Sequence, residues 1–203
     1  MKPCVAGVIP SRWASTRFPG KSLALIGGKP LLAWVVERAR QARRLDVILV
    51  ATDDERIAAA ARAVGADAVM TRTDHPSGTD RIAEAIQGIS ADVVVNIQGD
   101  EPLINPVLID QIAAVLADEE AWDMATAAAP IRSVEELHNP DVVKVVRAQD
   151  GRALYFSRSV IPFVRGAEFP LAPVPGAHFR HIGIYGYRRK FLEALVREPP
   201  CVL

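Results

Sequence analysis

The fold is decided by residues 5–21, VAGVIPSRWASTRFPGK, in which a short apolar strand runs directly into a loop. The stretch carries the cations Arg12, Arg17 and Lys21, together with Gly20 and two prolines. Guanidinium and ammonium groups donate hydrogen bonds to phosphate oxygens, and a glycine lets the backbone approach an anion closely. The stretch therefore predicts a strand that ends in a phosphate-binding loop, although the same residues would also suit a solvated basic loop.

Two familiar nucleotide-binding motifs do not fit this loop. Residues 20–22, GKS, look like the end of a Walker A motif, but Ser15 occupies the position of that motif's first glycine. No Gly-x-Gly-x-x-Gly follows the first strand, which argues against a nicotinamide or flavin enzyme.

Composition predicts a globular protein that binds small anions. The 203 residues are half apolar and a quarter charged, which suffices for one core of ordinary size. Because 24 Lys and Arg residues balance 24 Asp and Glu residues, no overall basic field favours nucleic acid or an anionic membrane. No apolar run approaches the roughly 20 residues that span a bilayer, and no signal peptide precedes the first strand, so we expect a cytoplasmic location. Cys4 and Cys201 lack metal-ligand spacing and are assigned no role.

Apolar strands alternate with helical patterns over the first 130 residues. Strands are predicted over 5–9, 47–51, 68–70, 93–97 and 124–128. Helices are predicted over 30–44, 80–89 and 106–117, with another that follows residues 52–55 and runs through 64. Because the strands lack polar alternation, the pattern predicts an α/β fold, a mostly parallel central sheet with helices on both faces. Ligands of such sheets bind beyond the carboxyl ends of the strands.

The pattern changes after about residue 130. Strands over 142–147, 153–157 and 181–187 lie among proline-rich loops and predict a β-rich lobe attached to the sheet. Residues 163–179 are predicted to form a long surface loop, a type of segment that often belongs to a binding site.

A second candidate site follows the strand in residues 93–102, VVVNIQGDEP. This strand stops at Gly99, and the carboxylates Asp100 and Glu101 come next. Mg²⁺ prefers one or two carboxylates plus phosphate and water oxygens, so Asp100 is a candidate metal ligand beside a bound triphosphate. The alternative is that both carboxylates only shape a turn before Pro102. Taken with the basic loop, these residues supply what nucleotidyl transfer needs to stabilise charge.

Further motifs along the chain carry a family resemblance. They are IPSR (9–12), ASTR (14–17), PGK (19–21), VATD (50–53), MTR (70–72) with His75 and SGT (77–79), NIQGDEP (96–102), NP (139–140), VVKVV (142–146), ALYFSR (153–158) and RHIGIYGY (180–187). With these motifs the chain resembles the 3-deoxy-manno-octulosonate cytidylyltransferases, or CMP-Kdo synthetases, over nearly its whole length. The resemblance implies a Rossmann-like nucleotidyltransferase that transfers CMP from CTP to the C2 hydroxyl of Kdo, an eight-carbon acidic sugar, and releases pyrophosphate. The product would feed lipopolysaccharide biosynthesis.

The resemblance also implies roles for single residues. CTP would contact Ser11, Arg12, Arg17, Lys21, Arg72, Ser77, Gly78 and Thr79. Arg12, Arg17 and Lys21 would hold the triphosphate, and the last four would lie around cytosine and ribose. Asp100 would bind Mg²⁺ and, with Arg12 and Lys21, would act in catalysis. Kdo would contact Gln98, Arg158, His181 and Tyr185, with the Arg158 fork matching an anionic group.

The resemblance implies two functional regions and a homodimer. Residues 1–130 would form the nucleotide-binding core, and residues 131–203 a sugar-binding and dimerisation lobe within one compact unit. The strand over 180–187 would contribute to the homodimer.

Several single residues have competing interpretations. His181 alone would more often be a structural histidine, but Tyr185 lies four residues further along a strand and so shares its face, which favours a joint role. Asp53 is interpreted as a helix cap, because Glu55 and a helix follow it. His75 and Asp80 are assigned no role.

The sequence departs from the family pattern near Leu203. Family members continue past the proline pair at 199–200 into a Leu- and Glu-rich helix with a Glu-Gln pair near the sugar, and then to an aspartate that completes the metal site. A chain that lacks this part is expected to bind CTP but to turn over far more slowly. Two alternatives stay open at this point: a cytidylyltransferase for another acidic sugar, such as N-acylneuraminate, and a catalytically silent nucleotide-binding or scaffold protein. The motif over 98–102 and the strand over 181–185 favour Kdo.

Overall fold

The computed structural model describes residues 2–14, 18–166 and 171–199. Within these ranges the strands are β1 (Val5–Ser11), β2 (Leu25–Ile26), β3 (Lys29–Pro30), β4 (Val47–Thr52), β5 (Asp67–Met70), β6 (Val93–Asn96), β7 (Met124–Pro130), β8 (Lys144–Arg147), β9 (Ala153–Ser157) and β10 (Phe179–Arg188). The α-helices are α1 (Leu31–Ala39), α2 (Glu55–Ala63), α3 (Gly78–Ala85), α4 (Pro106–Asp118), α5 (Val134–His138) and α6 (Arg189–Leu195). No helix in the described part of the chain is long and apolar enough to cross a membrane.

The chain divides into two compact units. The first contains the described residues up to Ala125 and those from Ile184 onward, and the second is Thr126–Gly183. The second unit begins close to the expected boundary at residue 130, whereas the chain returns to the first unit at Ile184. The functional division into residues 1–130 and 131–203 stays a prediction.

The first unit is built on a parallel sheet in the order β5-β4-β1-β6. Strand β1 lies in the middle and pairs in parallel with both neighbours, Ala6 lying opposite Val47 on one side and Val94 on the other. The last residues of β10 then pair antiparallel with β6, Tyr185 opposite Asn96. The predicted mostly parallel α/β sheet is therefore confirmed. Because these strands are parallel, β1, β4, β5 and β6 all present their carboxyl ends at one edge.

Helices cover both faces of this sheet. Gly186 and Tyr187 are neighbours on β10 and therefore face opposite sides. A Cβ atom at Gly186 would lie 2.5 Å from Ile112 of α4, whereas Tyr187 belongs to a buried cluster with Ile82 of α3 and Leu192 of α6. Helix α4 thus packs on one face, and α3 and α6 on the other, as the sequence predicts for the covered sheet.

The second unit is a small antiparallel arrangement. Strand β8 pairs with β9 on one side, Val145 opposite Phe156, and with the start of β10 on the other, Val145 opposite Phe179. Lys144 is fully buried, and its Nζ donates to the carbonyl oxygens of Asn139 at 2.7 Å and of Val142 and Arg158 at 2.9 Å. Burial, with a smaller contribution from the Arg158 charge, lowers the pKa of Lys144. The three carbonyl oxygens satisfy the three ammonium donors, so this lysine ties the loop over 139–142 to the end of β9.

The structure departs from the predicted elements in a few places. The predicted helix over 30–44 ends at Ala39. The backbone N–H groups of Gln41 and Ala42 bond three residues back, and those of Arg43 and Arg44 donate to the side chain of Asp110. The short hairpin β2–β3 and the helices α5 and α6 were not predicted. In the hairpin, Gly27 and Gly28 have φ angles of +59° and +80°, a turn that other residues rarely form.

Candidate active site

The site lies at the carboxyl edge of the parallel sheet of the first unit. Strand β1 ends at Ser11 and leads into Arg12, which is exposed. Strand β6 ends at Asn96 and leads through Gly99 to Asp100. Since β1 and β6 are parallel neighbours, the two candidate segments predicted from the sequence meet at this edge.

Gly99 allows the loop after β6 to pass close to the end of β1. A Cβ atom here would lie 3.0 Å from the carbonyl oxygen of Pro10 and 3.0 Å from Oγ of Ser11. Both distances are tighter than ordinary carbon–oxygen contacts, so a side chain would push the two loops apart. The absence of a side chain at Gly99 therefore determines how close the backbone of Asp100 lies to the end of β1.

Lys21 and Asp100 form the most direct link between the two segments. Nζ of Lys21 lies 2.7 Å from Oδ2 of Asp100, and the two side chains are 44% and 51% exposed. An ion pair this exposed contributes only about 0–1 kcal/mol to stability, so both charges stay available to a ligand. The predicted phosphate-binding cation and the predicted metal ligand thus lie side by side.

Trp13 contacts Gly20, and this contact joins the two ends of the loop between Arg12 and Lys21. Its carbonyl oxygen accepts a hydrogen bond from the Gly20 backbone at 3.0 Å. Gly20 has a φ of +69°, and a Cβ atom there would lie 2.8 Å from the Trp13 ring, so only glycine fits. Arg17 lies outside the described residues, and its predicted role stays a prediction.

Ser11 is buried at the end of β1. Its side chain is 4% exposed, and its Oγ has no hydrogen-bond partner among the residues that the structure describes. A buried hydroxyl without a partner is uncommon in folded proteins.

The start of helix α3 approaches the same edge. Ser77 caps the helix, its Oγ accepting from the backbone of Thr79 at 3.1 Å and of Asp80 at 3.2 Å. A Cβ atom at Gly78 would make an ordinary 3.5 Å contact with the Pro10 ring. The predicted residues 77–79 therefore lie beside the end of β1. Asp80, assigned no role from the sequence, accepts a hydrogen bond from the Ser77 hydroxyl at 2.5 Å.

The hydroxyl of Thr79 hydrogen-bonds Tyr187 of β10. Burial raises the pKa of Tyr187 to about 12, against the lowering effect of this bond. Tyr187 is therefore a neutral phenol at ordinary pH, and it ties the first turn of α3 to the sheet.

Arg72 lies in the loop between β5 and α3. Its exposed side chain pairs with Asp74 at 3.1 Å, and its backbone N–H donates to Glu84 at 3.1 Å. The nearly buried His75 ring makes a short hydrogen bond with the same Glu84 carboxylate. Burial alone would raise the pKa of Glu84, but the bonds from His75 and Arg72 lower it overall. Glu84 thus holds both ends of the 72–75 loop, a role that the sequence did not suggest.

Asp53 is not a helix cap, so that interpretation was wrong. The cap of α2 is the next residue, Asp54, whose side chain accepts from the Arg56 backbone at 2.9 Å. Asp53 instead accepts from the Trp13 backbone at 3.1 Å and from Arg81 at 2.9 Å. Arg81 lies on α3, 28 positions away, so the residues around Asp53 in the sequence do not reveal this pair.

Two of the predicted sugar-binding residues belong to the first unit. Gln98 Nε2 donates to the side chain of Asn96 at 3.3 Å, and Tyr185 lies opposite Asn96 in the sheet. The Tyr185 ring stacks on Tyr187 with centroids 6.4 Å apart, and burial raises its pKa. Gln98 and Tyr185 are thus brought to the end of β6, close to the start of the Asp100 segment.

The other two, Arg158 and His181, belong to the second unit. Nη1 of Arg158 donates to the carbonyl oxygen of Pro140 at 2.8 Å. Nε2 of His181 lies 2.8 Å from the Thr126 hydroxyl, and its ring meets Phe156 edge-on at 5.1 Å. Burial lowers the pKa of His181, which favours the neutral imidazole. Their predicted role in sugar binding stays a prediction, as does the joint role of His181 and Tyr185.

Comparison with known proteins identifies the family. Residues 6–203 match the family model described as cytidylyltransferase. The chain belongs to the cytidylyltransferase family. It is 47% identical to a 3-deoxy-manno-octulosonate cytidylyltransferase of Geobacter sulfurreducens, over 98% of this chain and 82% of the relative. It is 52% identical to the protein of that name from Pseudomonas fluorescens, over 97% of this chain and 79% of the relative.

Similar solved structures belong to proteins of the same kind as the sequence relatives. A CMP:2-keto-3-deoxy-manno-octonic acid synthetase in complex with CTP superposes with a TM-score of 0.90 at 42% identity, covering 98% of this chain and 80% of that one. A 4-diphosphocytidyl-2C-methyl-D-erythritol synthase from Anaerococcus prevotii superposes with a TM-score of 0.62 at 12% identity and shows the shared fold alone. The Rossmann-like nucleotidyltransferase fold predicted from the sequence is therefore confirmed, and this cytidylyltransferase is an enzyme of the nucleotidyltransferase class.

The carboxylates of this cytidylyltransferase suit a metal that arrives with phosphate. Among the described residues, no group of three or more His, Cys, Asp and Glu side chains could enclose a metal ion. Asp100 offers a single half-exposed carboxylate beside a cation. Mg²⁺ is commonly held by one or two carboxylates together with substrate phosphates and water, so this donor set fits Mg²⁺ on a nucleotide.

Proposed function

We propose that this cytidylyltransferase transfers CMP from CTP to 3-deoxy-manno-octulosonate and releases pyrophosphate, a reaction that supplies lipopolysaccharide biosynthesis. The observation that carries the proposal is the 2.7 Å contact between Lys21 and Asp100, which brings a phosphate-binding cation and a metal-binding carboxylate to one point at the carboxyl edge of the sheet. The closely similar relatives named for this reaction support it as well.

The triphosphate of CTP is proposed to lie along the loop after β1. Arg12 and Lys21 supply positive charge there, and we expect Arg17 to add a third cation. The buried Ser11 hydroxyl, which lacks a partner among the described residues, would gain one from the nucleotide. Cytosine and ribose are assigned to the side formed by Arg72 and residues 77–79.

The chemical step is a direct displacement at the α-phosphate. The C2 hydroxyl of the sugar gives up its proton to water as its oxygen forms a bond to the α-phosphorus. The bond from that phosphorus to the bridging oxygen breaks, and pyrophosphate leaves with the electron pair. Arg12 and Lys21 stabilise the negative charge that develops on the phosphate oxygens. When bound, Mg²⁺ would neutralise phosphate charge, with Asp100 as the carboxylate that holds it. No covalent enzyme intermediate is required.

For Kdo we propose four contacts, which are Gln98, Arg158, His181 and Tyr185. The Arg158 guanidinium matches the sugar carboxylate, because its planar fork donates two parallel hydrogen bonds. A neutral imidazole at His181, favoured by its lowered pKa, would exchange hydrogen bonds with sugar hydroxyls rather than supply charge.

The test is pyrophosphate release from CTP and Mg²⁺ with Kdo or N-acetylneuraminate as the acceptor. We expect release with Kdo alone and loss of at least about 100-fold in an Asp100→Asn variant. The matched control is Asp118→Asn, which removes a similarly exposed carboxylate whose partner Arg44 lies 2.9 Å away. Release with N-acetylneuraminate alone would assign a different acidic sugar. CTP binding without release on either sugar would indicate a catalytically silent form.

We also propose a homodimer and a cytoplasmic location. Light scattering of the purified chain tests the first proposal, and fractionation of the cell of origin tests the second.

A further inference from the structure

One buried ion pair supports the loop after β1 through the Trp13 backbone. Asp53 follows β4 and Arg81 lies on α3, with side chains 7% and 3% exposed and a separation of 2.9 Å. Taking a carboxylate and a guanidinium out of water costs free energy that their attraction does not always recover. Such a pair therefore calls for an explanation beyond stability.

We propose that Asp53 and Arg81 are positioning residues that fix the loop after β1, which would bind the triphosphate, relative to the loop after β5, which would lie beside the base. This inference rests on the proposed function, because it takes the loop after β1 as the triphosphate site and the loop after β5 as the base side.

The first half of the argument concerns Trp13. Its backbone N–H donates to Oδ1 of Asp53, and its carbonyl oxygen accepts from Gly20. The Trp13 ring lies against Gly20 on one side, and the Arg56 guanidinium lies 3.2 Å from its centroid. Trp13 therefore joins the two ends of the loop, and Asp53 is the group that anchors Trp13 to the sheet.

The second half concerns the other branch of the Arg81 guanidinium. While Nη2 of Arg81 pairs with Asp53, Nη1 donates to the Thr71 hydroxyl at 2.5 Å. That hydroxyl in turn donates to the carbonyl oxygen of Thr52 at 3.1 Å. Thr71 directly precedes Arg72, so one rigid guanidinium spans from the anchor of the phosphate side to the start of the base side. A lysine would supply the charge but not both contacts.

A site whose groups are held by such supporting contacts keeps its geometry, and a shift of about 1 Å in substrate placement costs on the order of 100-fold in rate. Removing the pair should therefore raise the KM for CTP, whereas the KM for the sugar should change little.

The test removes both charges together, in an Asp53→Leu/Arg81→Met variant, so that no unpaired charge is left buried. The matched control is Asp46→Leu/Lys2→Met. Asp46 accepts from the Val5 backbone at 2.9 Å and pairs with Lys2 at 3.4 Å, so it makes a comparable backbone contact at the opposite end of β1, in a more exposed pair. Thermal unfolding of both variants is measured first, to establish that each is folded.

Two readouts are compared. Hydrogen exchange at the Trp13 amide, followed by NMR, should accelerate about tenfold or more in the Asp53→Leu/Arg81→Met variant and stay unchanged in the control. The KM for CTP should rise about 10- to 100-fold, while the KM for Kdo changes less than about threefold. Unchanged exchange at Trp13, or an equal rise in both KM values, would overturn the inference.

The single variant Arg81→Lys keeps the test decisive if the double variant does not fold. It retains a cation beside Asp53, so Trp13 should keep its protection, but the loss of the Thr71 contact should still raise the KM for CTP. A KM equal to that of the unmodified protein would refute the link to the base side. Hydrogen exchange at Trp13 does not depend on turnover, so it still decides this inference in a chain that makes no product, an outcome that would count against the proposed function alone.

Discussion

Replacing Lys21 with Met separates the catalytic from the structural contribution of the Lys21–Asp100 contact. The two side chains are 44% and 51% exposed, so the ion pair lies in the class that contributes about 0–1 kcal/mol to stability. In the proposed reaction the same ammonium group would meet charge that develops on the phosphates at the transition state, where loss of one such group costs about 3–4 kcal/mol, or 10²- to 10³-fold in kcat. We therefore expect a large loss of turnover with little loss of stability.

The assay is pyrophosphate release under saturating CTP, Mg²⁺ and Kdo, combined with urea unfolding of the same preparations. Lys29→Met is the matched control, because Lys29 makes a similar 2.6 Å pair with Glu37 away from the carboxyl edge. The control should keep activity within about threefold. The reasoning would be refuted if Lys21→Met kept its activity, or if it lost more than about 2 kcal/mol of unfolding free energy, since the lysine would then act mainly in folding.

Three further predictions concern other parts of the molecule. Gly99→Ala should lower kcat/KM by about 10-fold or more and destabilise the fold by about 1–3 kcal/mol, because its Cβ would lie 3.0 Å from the Pro10 carbonyl oxygen; steady-state kinetics and urea unfolding measure both. Lys144→Met should lower the unfolding free energy by about 2–4 kcal/mol, because three carbonyl oxygens lose their donor, whereas Met at the exposed Lys190 should change it little. Burial lowers the pKa of His181 below its ordinary 6.5, so the unfolded chain takes up the proton first and the unfolding free energy should fall as the pH drops below 6.5. A His181→Gln variant should remove this part of the pH dependence of unfolding. An unchanged pH dependence would contradict the assignment.

The sheet could be predicted because its strands are short apolar runs between helical patterns. Residues 47–51 and 93–97 contain almost no polar side chain, as strands buried on both faces require, and both form strands of the parallel sheet. A parallel sheet places the carboxyl ends of these strands at one edge, which the sequence predicts. That β1 and β6 are neighbours, and that Lys21 reaches Asp100, is seen only in the structure.

The supporting contacts could not be predicted because they depend on partners distant in sequence. Arg81 appears in the sequence as an ordinary helical cation, and only the position of α3 against the ends of β4 and β5 makes it the partner of Asp53. Glu84 and His75 are likewise separated by a loop. One local signal was available for Arg81, since it lies four residues before Ala85 and so shares a buried side of α3, where an unpaired charge would be costly.

The most direct test of the central claim is to identify both products formed from CTP, Mg²⁺ and Kdo by mass spectrometry and phosphate analysis. The account predicts CMP-Kdo and pyrophosphate in equal amounts, with neither formed by the Asp100→Asn variant. Pyrophosphate released with free CMP and no CMP-sugar, or a CMP-sugar formed only from N-acetylneuraminate, would contradict it.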